Sequence, residues 1–330
     1  MATSLPTDMK YFDPLIQSGY TEKVTQMIDA FNAQSAGTLV FKTNRKPGDY
    51  DYTSFFKNAG GLVSRQDLTS VAGATPIKLT QEQIISVKLN RKIGPVDWAR
   101  SALLKPGLDM DAIKFAAGEQ AAADVLAEML NSTLLAGVAA LNNQSAVKFT
   151  VPNNGTLTTS SLVSGLSKFG DQAGRISAFV MHSKVFFDLF QYQVTPTNNG
   201  DLIANTTIVN GGPVTLNRPV LVTDSASLVK TQGSGSAATT DYLTLALTAD
   251  ALIAEETEEE YIVFDQITGN EQILMRMQGE YGYNLGVKGF KWDVQNGGKN
   301  PNAGALGTGS NWDAAFTSHK DFAGVIIQSR

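Results

Sequence analysis

The sequence contains no cysteine, which removes disulfides, thiolate metal sites and cysteine nucleophiles together. Stability must come from packing and association. Histidine is nearly as scarce, with His182 and His319 the two in 330 residues. Either could join Asp188 or Asp313 in a catalytic pair, since a triad is defined by geometry and not by order. No Gly-x-Ser-x-Gly elbow or His-Glu-x-x-His helix accompanies them, so they read as structural histidines. Charged residues make up 17% of the chain, below the roughly 25% usual for soluble domains, so much of the surface is expected to be covered by something. The net charge of -5 argues against a basic face that binds nucleic acid by neutralising phosphates. The N-terminus lacks the basic start and apolar core of a signal peptide, and no uninterrupted apolar run reaches membrane-spanning length. A cytoplasm-like compartment is expected, with no membrane partner. Neither glycine-rich stretch, 233–236 or 307–310, completes a phosphate-cradling loop, so both read as loops and no cofactor or metal is expected.

What is present suggests more than one packed subregion, because 330 residues exceed the size at which a single core usually keeps growing. Val24, Met27, Ile28 and Phe31 recur at helical spacing within an arm too poor in apolar residues to fold alone. A strand over 39–43 leads into a polar excursion, 44–74, which returns through 83–93, where Ile85, Val87, Leu89 and Ile93 alternate with polar positions. These two strands are expected to bracket a polar tip as a long hairpin or flap. Pro106 and Gly107 break the chain, and Asp109 or Asp111 is a plausible N-cap for the strongest helical signal present. From 111 to 141 that helix carries Leu126, Leu130, Leu134, Val138 and Leu141 on one stripe. It would be roughly 45 Å long, a spine by comparison with the usual helix of about 11–12 residues.

The pattern from 151 to 254 is mixed α/β: a capped helix ending near Phe169, a strand over 177–181 running into a helix over 183–192, and strands at 219–223 and 242–248. An acidic run, 255–260, reads as a solvated turn. A hairpin around Thr268-Gly269-Asn270 follows, and a third strand then places Tyr281, Tyr283, Leu285 and Val287 on one face, expected to pack under the spine. Stacking of these aromatics on bases is disfavoured because no arginines interleave with them.

This order of parts resembles the Hong Kong 97-like fold of tailed-phage major capsid proteins. Local wording is similar as well: Ala178-Phe179-Val180-Met181-His182-Ser183, Asn217-Arg218-Pro219-Val220-Leu221-Val222-Thr223-Asp224, and the Tyr281–Trp292 segment. The resemblance implies an α+β capsid fold. Its parts would be an N-terminal arm (1–38), an extended E-loop hairpin (39–100), the spine helix of the P-domain (101–148), an α/β A-domain (149–254), the β return of the P-domain (255–295) and a C-terminal tail (296–330). The implied function is that of a major capsid protein, self-assembling as hexameric and pentameric capsomers into an icosahedral shell around double-stranded DNA. Its place would be the virion, after assembly in the bacterial host cytoplasm. A separate scaffolding protein is implied, because fewer than 40 residues precede the first strand; a portal and possibly a decoration protein would be further partners, with packaged DNA a non-specific neighbour. A tail component, or an α/β ligand-binding protein or enzyme, is the alternative.

The chemistry of such a protein would lie in contacts between copies. In one branch of the family a lysine of the E-loop forms an isopeptide bond with an asparagine of a neighbour; Lys57, followed by Asn58, is placed for that, although a flexible tip making ordinary contacts is the plainer reading. Charge offers the other candidates. Glu255, Glu256, Glu258, Glu259 and Glu260 form an acidic run, and Arg45, Lys46, Lys88, Arg91 and Lys92 sit on the flap; beside the plainer reading of a solvated turn stands the sharper one, that the run of one copy meets the basic flap of another.

Overall fold

The structure, a computed structural model, describes residues 14–43, 48–57, 60, 62–63, 65–66, 69, 73, 76–101, 110–191, 200–203, 206–209, 215–232 and 239–330. Arg45, Lys46, Asn58 and the 106–109 break lie outside them. The chain begins with helix α1 (Pro14–Gln34) and strands β1 (Leu39–Thr43), β2 (Tyr50–Phe56) and β3 (Gln81–Ala99), then the spine helix α2 (Met110–Asn142). Its middle comprises β4 (Lys148–Thr150), α3 (Thr159–Leu166), β5 (Ile176–Met181), α4 (Ser183–Gln191), β6 (Gly200–Ile203), β7 (Thr206–Val209), β8 (Val220–Thr223), β9 (Val229–Gln232) and β10 (Thr239–Thr248). Strands β11 (Leu252–Ile267), β12 (Leu274–Val287) and β13 (Phe290–Trp292), helix α5 (Ala303–Leu306) and strands β14 (Trp312–Ala314) and β15 (Gly324–Ser329) complete it.

Two sheets share the spine. One has the order β1-β11-β12-β3-β2; the other runs β4-β15-β10-β5-β8-β7-β6, with β9 hairpinned onto β10. Leu126, Leu130, Leu134, Val138 and Leu141 on α2 are all buried, as their helical spacing requires. The helix touches β11 and β12 of the first sheet, β15 of the second, and α1. Gly137 lets β11 approach closely: a Cβ there would come within 2.9 Å of Leu252 Cδ2. By length and composition Ile113–Asn142 could cross a bilayer, but two thirds of its most apolar stretch is buried within the protein.

A polar clamp reinforces this packing. The Glu128 carboxylate on α2 accepts four hydrogen bonds: from Arg91 Nε at 2.9 Å and Ser132 Oγ at 2.8 Å on one oxygen, and from the Tyr281 and Tyr283 hydroxyls at 2.9 Å each on the other. Helix, flap strand β3 and strand β12 are thereby tied at one point. Burial would lower the pKa of Arg91, but the hydrogen bond and charge of Glu128 outweigh it and hold the guanidinium above its ordinary value. Burial, seconded by the Glu128 charge, pushes the Tyr283 phenol well up, so it remains a donor. The two tyrosine rings stack 6.1 Å apart beneath the spine.

Several elements differ from their sequence reading. The flap pairs β3 with β2, not with β1; β1 instead lies parallel to β11, Leu39 opposite Leu252. The acidic run is no turn: it lies within the 16-residue β11, where shifts of register on either side of Glu258 accommodate it. The expected second and third return strands are one strand, β12, because the irregularity at Met277/Gly279 kinks it without ending it. The 296–330 segment, expected as a tail, ends in β15, whose six residues are buried between β4 and β10. Closer to expectation, Thr158 caps α3 through its side-chain oxygen, which accepts from Ser161 N at 3.2 Å.

Glu128→Gln keeps the shape of the clamp but removes its charge. The expected loss is about 1.5–3 kcal/mol, the worth of a charge-assisted hydrogen bond. It would be read as a lower urea midpoint, followed through the fluorescence of buried Trp292 and Trp312. Asp97→Asn, which breaks the exposed bidentate pair with Arg276 (2.6 Å), should shift the midpoint less.

Candidate assembly surface

The flap lies between strands β2 and β3 at one edge of the first sheet, and large apolar side chains are prominent among those it exposes. Among the described residues, six of the eleven exposed large hydrophobics lie between positions 52 and 79: Tyr52, Phe56, Leu62, Val63, Ile77 and Leu79. Val63 is 94% accessible, which leaves its side chain almost without contacts in its own chain. Isolated exposed apolar residues are ordinary, but a concentration on one projecting element marks a surface meant to be covered. The sequence reading described this excursion as polar and missed it. The signal was there in Leu62-Val63, Ile77 and Leu79, apolar residues that follow neither a helical nor an alternating pattern and so have no core face to join.

The base of the flap is held by the C-terminal part of the chain. Glu82 on β3 pairs with Lys57 Nζ at 3.0 Å and Lys291 Nζ at 3.2 Å; these hydrogen bonds, Lys57 first, keep its carboxyl below the usual range. The Lys57 backbone N donates to Thr80 O at 2.8 Å and closes the hairpin. Phe55 meets Phe316 edge-on at 4.9 Å, Lys299 pairs with Asp49 at 2.6 Å, and Asn300 Oδ1 accepts from the Asn90 backbone N at 3.0 Å. The hydrogen bond to Asp49 raises the Lys299 ammonium above its ordinary value. The root is thus fixed by ion pairs, a hydrogen bond and one aromatic contact, and Leu62, Val63, Ile77 and Leu79 lie beyond it.

The charged candidates take different places. Arg91 is engaged with Glu128 of its own spine, and Lys57 with Glu82. Lys88 is 8% exposed and stands opposite Asn284, which in turn stands opposite Glu255, itself opposite Lys42 on β1. The acidic strand and the basic strand therefore belong to the same sheet, separated by one strand. Glu256 stands opposite Thr43 and Tyr283, and Lys92, which is exposed, opposite Glu280. The backbone of Glu258, Glu259 and Glu260 lies in β11; their side chains, like Arg45 and Lys46, are outside the description. The catalytic pairing weighed for His182 and Asp188 is not assembled. Asp188 is 2.5 Å from Lys184, and the Ser183 hydroxyl donates to Asp224 and not to the imidazole.

The solved structures with similar folds include phage capsids. The "Cyanophage Pam1 capsid asymmetric unit" superposes with a TM-score of 0.52 at 10% identity, covering 88% of this chain and 88% of that one. The "Capsid of Ralstonia phage GP4" gives 0.52 at 11% identity, over 88% and 87%. A chain of Microbacterium phage Oxtober96 gives 0.52 at 10%, over 89% and 90%. At such identities the likeness speaks for the fold alone. Among curated proteins, none matches in sequence. Membership rests on the sequence itself, because residues 8–326 match the Gp13-like family, described as major capsid protein 13-like. The chain belongs to that family of major capsid proteins and is a subunit of a phage shell with the Hong Kong 97-like fold.

Proposed function

We propose that this subunit closes its shell by laying the apolar flap, residues 50–80, over a neighbouring copy, first within hexameric and pentameric capsomers and then across an icosahedral head around double-stranded DNA. The observation that carries this reading is the cluster of exposed apolar side chains on one hairpin whose root is fixed and whose outer residues, among the described ones, are half or more exposed. Each contact of this kind is modest, but a subunit with many neighbours sums them. The parts divide as arm (1–38), flap region (39–100), spine (101–148), α/β unit (149–254), β return (255–295) and C-terminal segment (296–330). Assembly would take place in the host cytoplasm on a separate scaffolding protein, with a portal at one vertex and a decoration protein as a further partner. A structural part in the virion, not catalysis, is the role we assign.

Charge would then set register more than strength. With Arg91 and Lys57 engaged inside the subunit, Lys92 on the flap strand and Glu258 and Glu259 on β11 are the candidates for pairs between copies. Each exposed pair is worth only about 0–1 kcal/mol, so their effect would be seen in repetition over the shell.

Two outcomes are expected. Val63→Asp combined with Leu79→Asp should leave the urea midpoint of dissociated subunits within about 0.5 kcal/mol of wild type, since both side chains are exposed. The same variant should form no particles by sedimentation and negative-stain microscopy. Normal particles from it would remove the flap from the interface.

Trypsin supplies the second. Arg65 and Lys78 are exposed in the free subunit, and cleavage after them should be fast in dissociated protein and slowed at least tenfold in particles. Equal rates in both would contradict the proposal.

A further inference from the structure

The first sheet has two outer strands, β1 on one side and β2 on the other, and their free edges are treated differently. At β1 the Asn32 side chain answers the outward backbone of Phe41 twice, donating from Nδ2 to its carbonyl at 2.9 Å and accepting from its N–H at 3.0 Å. The Ser35 hydroxyl donates to the Leu39 carbonyl at 3.1 Å, so that edge is plugged. At β2, among the described residues, no strand or loop pairs with the outer edge.

The register shows which groups are left there. Lys57 N donates to Thr80 O and Lys88 N to Asp49 O, and the pairing of β2 with β3 is unbroken from Tyr50 opposite Val87 to Phe56 opposite Gln81. Hydrogen-bonded pairs alternate along an antiparallel ladder, so the odd-numbered residues of β2 bond to β3, and Tyr50, Tyr52, Ser54 and Phe56 turn their N–H and C=O groups outward. Natural edge strands are usually blunted by lysine, proline, a bulge or a cover. The sequence Tyr-Asp-Tyr-Thr-Ser-Phe-Phe has neither lysine nor proline, and no bulge interrupts it. Tyr52 and Phe56, on one face of the strand, are 54% and 69% exposed.

We infer that β2 pairs antiparallel with β2 of a second copy, so that the sheet of one subunit continues into the next across a two-fold axis at Thr53. This rests on the shell reading above and adds to it a named strand and register. With Thr53 opposite itself, all seven residues of the strand overlap, and each outward residue meets another outward one: Tyr50 meets Phe56, and Tyr52 meets Ser54. The exposed aromatics of both copies then share one face, as cross-strand aromatic pairs do. The other way of continuing the sheet, β2 of one copy against β1 of the next, is closed by Asn32 and Ser35. A strand that pairs with itself makes an isologous contact, whereas rings of five or six subunits need heterologous ones. The contact therefore joins one capsomer to another.

The absence of cysteine allows the register to be read directly. Self-opposed Thr53 residues would form a non-hydrogen-bonded pair with Cα atoms about 4.5 Å apart, within disulfide range. Two copies of Ser54 would lie on a diagonal of roughly 7–8 Å, past that range. Under mild oxidation with diamide, Thr53→Cys particles should give a disulfide-linked dimer at least tenfold faster than Ser54→Cys particles or dissociated Thr53→Cys subunits. Equal rates overturn the inference. Particles with no Thr53→Cys dimer also overturn it and leave the shell reading standing; no particles from wild-type protein removes the shell reading, and this inference with it.

A charge at the axis gives a second readout. Thr53 is exposed, so Thr53→Lys and Thr53→Asp should each keep the urea midpoint of the subunit. Each alone opposes like charges across the axis and should stop at capsomers in sedimentation, whereas the two co-assembled one to one should recover part of the particle yield. Normal particles from either variant alone, or no recovery on mixing, overturn the pairing.

Discussion

Burial of one long helix by two separate sheets is the constraint on which the remaining structure depends. The stripe running from Leu126 to Leu141 is buried, with β11 and β12 of one sheet, β15 of the other and helix α1 all packed against the helix. With no cysteine to fix the arrangement, its position is set by close packing at Gly137 and by the four donors gathered on Glu128. A hydrophobic surface can slide, whereas a carboxylate holding Arg91, Ser132, Tyr281 and Tyr283 cannot do so without leaving partly buried donors unmatched. The clamp also reaches the flap strand through Arg91, so helix, return sheet and projecting hairpin share one reference point.

The same chain is over-determined at its centre and under-covered at its margin. The flap is fastened at its root by Glu82, Asp49, Phe55 and Asn90, each answered by a residue between 291 and 316. Leu62, Val63, Ile77 and Leu79 farther out are exposed. A rigid root with exposed apolar residues beyond it lets a hairpin be aimed before it is bound, which reduces the ordering cost that association otherwise carries.

Much of this was legible wherever the pattern was long and periodic. Helix α2 could be read to within a residue or so at each end because its apolar stripe recurs over about four turns between Leu126 and Leu141, and β5, β8 and β10 announced themselves as short apolar runs. What failed was partnership and continuity. Nothing in Leu39–Thr43 says that its partner is Leu252 and not the strand that follows it. Tyr50–Phe56, with Asp51 and Ser54 inside it, was lost among polar neighbours, and Gly279 made one strand look like two. Strand β15 offers only Val325-Ile326-Ile327, too short a run to mark the centre of a sheet. The clamp left no trace at all, since Glu128 reads as one more acid on a helix. The charges of the flap and of β11 were visible, but their sharing of a sheet was a tertiary fact.

The pairing of strands distant in sequence has a consequence in time. In both sheets the decisive neighbours are about 175 residues apart or more: β1 with β11, β3 with β12, β4 with β15. Contacts of that span close slowly, because the entropy of a long loop is lost before the contact rewards it. During that interval the apolar flap is already present on a chain that has not yet built the surface meant to receive it. On the role proposed for it, the hairpin that would make a shell among finished subunits is, among unfinished ones, a point of aggregation. Yield of particles should therefore depend on how fast the sheets close relative to how often two immature chains meet.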